Sequence, residues 1–372
     1  MITTKVFQSL RYFSFIKCNT LEVFTKAKGS VVKNRPFLAG STELGMPEYL
    51  SHHSNKNLLV VRCNDTNNVT LCDAANKFRF YIDENLSQYS AILFKKLPIK
   101  TESDFNLFMS HSGYKSIAYV AGNASRSKLV GEVYETSNEP ADLSIEPHNE
   151  MSYHVTFPRK IFFCCLTPPL TDGETPIAFN RDIIQHIDKN YLEKVEKRGI
   201  RYIRNHGNKK LTKYMTWQDI YSTSSHQEVE TKLRKFNNNW KWNENETLTT
   251  WYTTSPIIYH PETGEKIWFN QLSAAHNTYY KCHPDYIGKQ LKDHEYFLHT
   301  TYGDGEEFEP ELVQHIRNVA WNASIGFQWE KGDVIVLDNL LAQHGRLSYT
   351  GKRKIVVSLT DILKREAVQP NS

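Results

Sequence analysis

No stretch of this chain reaches the roughly 18 consecutive apolar residues that a membrane-spanning helix requires, which excludes a helical span. Cysteine is scarce. The six present, Cys18, Cys63, Cys72, Cys164, Cys165 and Cys282, form no CxxC pair and no dense framework, so a disulfide scaffold is excluded and a reducing compartment fits. Cys164 and Cys165 are neighbours in the apolar run Ile161–Leu166, where on a strand they would point to opposite faces as small hydrophobes. An excess of one charge is missing too: 45 Lys and Arg face 41 Asp and Glu, and the net +4 is spread along the chain. That argues against a nucleic-acid partner. There is no internal repeat and no low-complexity linker.

What is present is a large core. Hydrophobic residues make up 40% and aromatics 12% of 372 residues, a length that one elaborated β-barrel or sandwich can hold. The expectation is a basic N-terminal extension over 1–50 and one domain over 51–372. The first 35 residues carry Lys5, Arg11, Lys17, Lys26, Lys28, Lys33 and Arg35 against Glu22 alone. Mitochondrial presequences share that composition, as do ordinary N-termini, so a cytoplasmic location is expected with a mitochondrial one as the alternative. Asn64, Asn68 and Asn123 begin glycosylation triplets, which have no meaning without a secretory signal.

Asn57–Arg62, Phe78–Ile82 and Ser90–Phe94 read as strands, being short and β-branched or aromatic. A capped helix is expected from near Ser103. Arg159–Leu166 is a buried strand ended by Pro168 and Pro169. Arg181–Arg198 and Glu309–Asn322 have helical spacing, and 205–280 reads as an insertion rich in Trp, Tyr, Asn and Thr. Trp329–Asp338 and Arg353–Leu359 read as buried strands. The pattern alone is α+β.

The chemistry is concentrated in Pro147-His148-Asn149-Glu150-Met151-Ser152-Tyr153. On a strand, residues two apart share a face about 7 Å apart, so one metal ion can take both His148 and Glu150. A second histidine from a distant strand would complete two nitrogens and a carboxylate on one side of an octahedron, leaving positions open as in non-haem iron(II) oxygenases. His344 is the candidate. His-x-Glu alone also decorates exposed strands, and a lone histidine is more often a satisfied hydrogen-bonding group, so it is the ordered set that carries weight.

Four blocks supply that order: Tyr89–Leu97 leading to Asp104-Phe105; Pro147–Tyr153; Asp172-Gly-Glu-Thr-Pro-Ile177; and Gly332-Asp-Val-Ile-Val-Leu-Asp-Asn339 leading to His344-Gly-Arg346 and Arg353. From about Asn57 to Leu363 the chain resembles the taurine dioxygenase-like group of 2-oxoglutarate oxygenases, most of all its clavaminate synthase-like branch. The resemblance implies a double-stranded β-helix, the jelly-roll or cupin-like barrel, with flanking helices. It implies an Fe(II)- and 2-oxoglutarate-dependent dioxygenase that uses O2, releases succinate and CO2, and oxidises, mainly by hydroxylation, a small organic substrate such as an amino acid, a betaine or a carboxylic acid.

By the same resemblance His148, Glu150 and His344 are the metal ligands, with Glu150 where many relatives have Asp. Thr175 and Arg353 bind 2-oxoglutarate, Arg353 because a planar, always-charged fork grips a carboxylate in two places. Alternation with Ile355 and Val357 turns Arg353 inward and Lys354 outward. Asp172 stands where relatives usually have glycine. Asn149, Ser152 and Arg126 are candidate substrate contacts, and Trp251, Tyr252, Trp268, Phe269 and Asn270 are either core or a cover over the site. Two other classes remain: a zinc-type hydrolase on the same triad, and a non-catalytic jelly-roll binding protein.

Overall fold

The computed structural model of the chain describes residues 15–17, 29–51, 57–63, 69–118, 126–212 and 215–369. Residues 1–14 and 18–28 of the basic N-terminus, and Asn64, Asn68 and Asn123, lie outside them. Alternation dictates the central element. In the strand Thr156–Thr167, Ile161, Phe163 and Cys165 join one hydrophobic cluster and Phe162, Cys164 and Leu166 another, as a period of two requires. A strand apolar on both faces must be covered on both sides. It lies between Val334–Asp338 and Lys354–Lys364, inside an eight-stranded sheet that continues on one side through Ala91–Lys95, Leu58–Cys63 and Phe15–Lys17, and on the other through Val133–Glu135 and Lys128–Val130.

Helices Leu71–Tyr89 and Glu102–Ser112 cover one face, where Phe78 packs against Phe94, Phe108 and Phe162. The first helix corrects the expected strand at Phe78–Ile82. Its aromatic residues suggest a strand, yet Phe78 and Ile82 are one turn apart and both buried, while Phe80 is 67% exposed. Tertiary burial at helical spacing overrides local β-propensity. The second helix is capped by Thr101 and Asp104 in a reciprocal capping box, just ahead of the expected start.

The other face meets a four-stranded sheet ordered Ser324–Ile325, Ile177–Phe179, Ala342–Arg346, Ile145–His148. Ile335, Leu337, Ile355 and Val357 pack there against Ile177, Phe179, Ala342 and Ile325. The fold is thus mixed α and β, and among the described residues neither sheet closes on itself. A further sheet, Asn239–Trp242, Leu248–Thr254, Ile200–His206 and Leu298–Tyr302, draws on the 205–280 region. The expected helix over 181–198 is two, Asn180–His186 and Lys189–Arg198, because Asp188 accepts the N–H groups of Asn190 and Tyr191 and caps a new start. In the N-terminal part, Val32, Leu38, Met46 and Leu50 pack with Trp321 and Leu347. No described helix is long and apolar enough to cross a membrane.

Candidate metal centre and its cavity

His148 closes its strand and His344 lies in the middle of Ala342–Arg346, and the two are direct antiparallel partners. Opposed side chains leave a sheet on the same face, so the rings meet with centroids 4.5 Å apart. Glu150 arrives differently. The strand ends at His148, and Glu150 belongs to the following turn, in which Met151 takes a φ of 56°. The carboxylate is brought back by that turn rather than by the two-residue repeat of a strand. The donor atoms of His148, Glu150 and His344 all lie within 4.8 Å of one another.

Their protonation suits a metal ion. His148 Nδ1 is 2.9 Å from the carbonyl oxygen of Glu146, and a carbonyl cannot donate, so Nδ1 carries the proton and Nε2 keeps its lone pair. Burial, then the neighbouring His344, pushes the His148 imidazole down to about 4, and burial lowers His344 as well. Both are neutral at neutral pH, as metal ligation requires. Burial raises the Glu150 carboxyl, but Arg126, then His344 and His148, overcome this and hold it well below the usual carboxylate range. Glu150 Oε2 is 2.7 Å from the Arg126 guanidinium and 3.5 Å from His344 Nε2. Two neutral imidazoles and an ionised carboxylate converging on one point are a fitting donor set for a divalent first-row metal such as iron(II).

Arg353 and Thr175 line the same cavity. Arg353 directly precedes the strand Lys354–Lys364, whose register shifts between Lys354 and Ile355. That bulge breaks the alternation on which the inward direction was expected, and the contacts set the direction instead. Arg353 Nε–H donates to the Gly173 carbonyl at 3.1 Å and its terminal nitrogen to Thr175 Oγ1 at 3.4 Å, while Lys354 pairs with Glu102. Burial, then the charge of Arg346, lowers the Arg353 guanidinium to about 10, which leaves it charged at neutral pH. Trp329 Nε1–H also donates to Thr175 Oγ1, at 3.2 Å. With two donors on its oxygen, the Thr175 hydroxyl keeps its own hydrogen free to give to an incoming carboxylate. Asp172 itself adopts a φ of 53° ahead of Gly173, so the turn forms without the second glycine.

The other candidates separate. Arg126 lines the cavity. Asn149 and Ser152 are fully buried and not among its lining residues. Trp268 and Phe269 are core, Trp251 and Tyr252 belong to the strand Leu248–Thr254, and the cavity's aromatic wall is Tyr153, Phe163, Tyr279 and Tyr280. Sequence reasoning missed Gln271 and Glu139 in that wall. Glu139 is held at 2.7 Å by the buried His283. Only structure brings these two to the site, since neither sits in a recognisable motif.

A second group of similar donors exists. His276, His299 and Glu307 also place ligand atoms within 4.8 Å of one another. There His299 Nε2 is 2.8 Å from Glu307, and His276 Nδ1 accepts the Thr278 N–H as a helix cap.

The sequence matches the profile of the family described as "Taurine catabolism dioxygenase TauD, TfdA family" over residues 70–360. The chain belongs to that family and is an Fe(II)- and 2-oxoglutarate-dependent dioxygenase. Within it, the chain falls in the clavaminate synthase-like branch. It is 33% identical over 281 residues to the dapdiamide synthesis protein DdaC of Enterobacter agglomerans, covering 75% of this chain and 84% of that one. It is 27% identical over 288 residues to a clavaminate synthase-like protein of Arabidopsis thaliana, covering 76% and 84%. Among solved structures, PvcB of Pseudomonas aeruginosa superposes with a TM-score of 0.49 at 12% identity, over 86% of this chain and 92% of that one.

Proposed function

We propose that this dioxygenase hydroxylates a small organic substrate at an iron(II) ion held by His148, Glu150 and His344, and that Thr175 and Arg353 seat the 2-oxoglutarate consumed. The observation that carries the reading is the convergence of the three donors within 4.8 Å, in the cavity that also holds Arg353 and Thr175. We read the eight- and four-stranded sheets as the two halves of a double-stranded β-helix, and 51–372 as one oxygenase domain onto which the segment from residue 29 is strapped.

Iron(II), 2-oxoglutarate and oxygen supply the oxidant, decarboxylation of the co-substrate to succinate and CO2 activating oxygen for attack on a carbon–hydrogen bond. The chain does the rest. His148, with Nδ1–H tied to a carbonyl, presents Nε2 in one orientation. Arg353 offers a fixed cation to the distal carboxylate of 2-oxoglutarate, and Thr175 a hydroxyl hydrogen beside it. Tyr153, Phe163, Tyr279 and Tyr280 keep the cavity poor in water, which strengthens these charge contacts. Arg126 and Glu139 give the wall one cation and one carboxylate, a pair suited to an amino acid, a betaine or another small acid. A zinc hydrolase would have no use for the Arg353–Thr175 arrangement.

The test is anaerobic. Adding 2-oxoglutarate to the iron-loaded protein should produce a metal-to-ligand charge-transfer band, and in air a screen of amino acids, betaines and small acids should reveal one that stimulates succinate release. If no band develops, 2-oxoglutarate does not chelate the metal and the reading fails.

A further inference from the structure

The strand carrying His148 stops one residue before the backbone reaches Glu150's neighbourhood, so the peptides around Glu150 lose the ladder partners that a strand would supply. A side-chain carboxamide carries the same donor and acceptor pair as a peptide, and two carboxamides occupy those vacated positions. The Glu150 N–H donates to Asn339 Oδ1 at 2.8 Å, and Asn339 Nδ2 donates to the Glu150 carbonyl at 3.0 Å and to the Pro158 carbonyl at 2.9 Å. On the other edge of the preceding peptide, Gln271 Nε2 donates to the Asn149 carbonyl at 2.8 Å. Both peptide planes that flank the Glu150 Cα are therefore held, one of them from both sides.

Asn339 is itself fixed, its N–H donating to the Arg159 carbonyl at 2.9 Å and its carbonyl accepting from Asn149 Nδ2 at 2.7 Å. It lies in the turn that leads into the His344 strand, so one side chain ties the carboxylate arm of the site to the histidine arm. It also ends the Gly332–Asn339 block, whose sequence pattern the metal ligands alone leave unexplained.

We propose that Asn339 and Gln271 are positioning residues that clamp the Glu150 backbone and so set the direction in which its carboxylate reaches the metal. This rests on Glu150 being a ligand. Met151, next along, sits at a φ of 56°, a conformation uncommon for a non-glycine residue. The clamp holds the peptide just before it. Gln271 also lines the cavity.

The test measures cobalt(II) affinity and the cobalt ligand-field spectrum of the metal-stripped protein, alongside its thermal unfolding, in Gln271→Ala, Asn339→Ala, Asn339→Asp and Glu150→Ala. Outer partners of metal ligands commonly contribute about 10–100-fold in affinity. Gln271→Ala should lose about 10-fold, with an altered spectrum and nearly unchanged unfolding. Asn339→Ala should lose more, and Asn339→Asp should not rescue it, because a second oxygen would then face the Glu150 and Pro158 carbonyls. Glu150→Ala should fail to bind. Wild-type affinity and spectrum in the clamp variants, with Glu150→Ala still deficient, overturns the clamp and leaves the metal site standing. Wild-type binding in Glu150→Ala overturns both. Should the Asn339 variants not fold, Gln271→Ala decides: affinity loss with intact unfolding supports the clamp, and unchanged affinity overturns it.

Discussion

His148, Glu150 and His344, and the group His276, His299 and Glu307, offer a metal the same atoms within the same 4.8 Å span, yet their surroundings prepare them for different work. In the first, His148 Nδ1–H is satisfied by a carbonyl, which leaves Nε2 unprotonated, and Glu150 is ionised against Arg126. In the second, His276 Nδ1 is already an acceptor for the Thr278 N–H. A nitrogen bonded in that way has no proton to donate, so the ring would have to change tautomer before Nε2 could ligate. An Nδ1 buried without a partner among the described residues does not separate the groups, since His299 and His344 share it. Glu307 is 60% exposed, and the Lys281 and Arg317 charges bear on His276. Composition and distance do not make a metal centre; tautomer and the outer partners do.

The largest effect that separates the two groups is loss of one donor. His148→Ala, Glu150→Ala and His344→Ala should each abolish 2-oxoglutarate turnover and iron stoichiometry, since no two of them hold the metal on their own. His276→Ala and His299→Ala should keep both, changing only stability. Glu150→Asp keeps the charge and shortens the reach by one methylene, and should retain reduced turnover. Metal content and succinate formation, measured on all six, decide it. Iron loss in His276→Ala equal to that in His148→Ala would erase the distinction drawn above.

Next in size is Arg353, where the comparison is with its neighbour Lys354. Removing a buried cation from a carboxylate costs on the order of 2–5 kcal/mol, so Arg353→Ala should weaken 2-oxoglutarate binding at least about 30-fold, and lysine should recover only part of the loss because it cannot form the fork. Lys354→Ala removes a partly exposed pair with Glu102 and should leave co-substrate affinity within about 2-fold. Titration of the charge-transfer band reads both. An equal loss in the two variants would mean that the bulge before Ile355 does not separate their directions.

How much of this is legible without coordinates depends on the range over which each signal acts. The strand Thr156–Thr167 is legible because its alternation is local, and Cys164 and Cys165 do fall on opposite faces. The helix around Phe78 is not, because its period competes with aromatic β-propensity and only the neighbouring sheet decides. The triad's members are visible as an ordered resemblance, but the turn at Met151 that delivers Glu150 is not, since a left-handed methionine leaves no mark in composition. Arg353 faces the cavity for a reason other than simple alternation. Asn339 is visible as a letter in a block without a role, and Gln271 is invisible, because its partner lies 122 residues away.

Acid should act on both donor groups, and more gently than substitution. Burial lowers His148 to about 4 and holds His276 well below its ordinary value, so both rings are neutral when folded and would take up protons more readily unfolded. Between the unfolded value, near 6.5, and the lower folded one, the unfolded state binds more protons, and stability falls as pH falls. Glu150 has the same sign in a lower window: its depressed carboxyl yields stability that is lost as pH falls from the ordinary carboxylate range toward the lower folded value, so pH 7 to 5 reads the histidines. Metal-free protein should lose on the order of 1–2 kcal/mol through His148 by pH 5, with His276 acting in the same direction. Denaturant unfolding at pH 7 and 5 of the wild type, His148→Ala and His276→Ala measures each share, and a pH dependence unchanged by His148→Ala would mean that this ring is not held neutral in the folded chain. With metal bound, acid should weaken binding through His148 and not through His276, because protons then compete with the ion for the same Nε2.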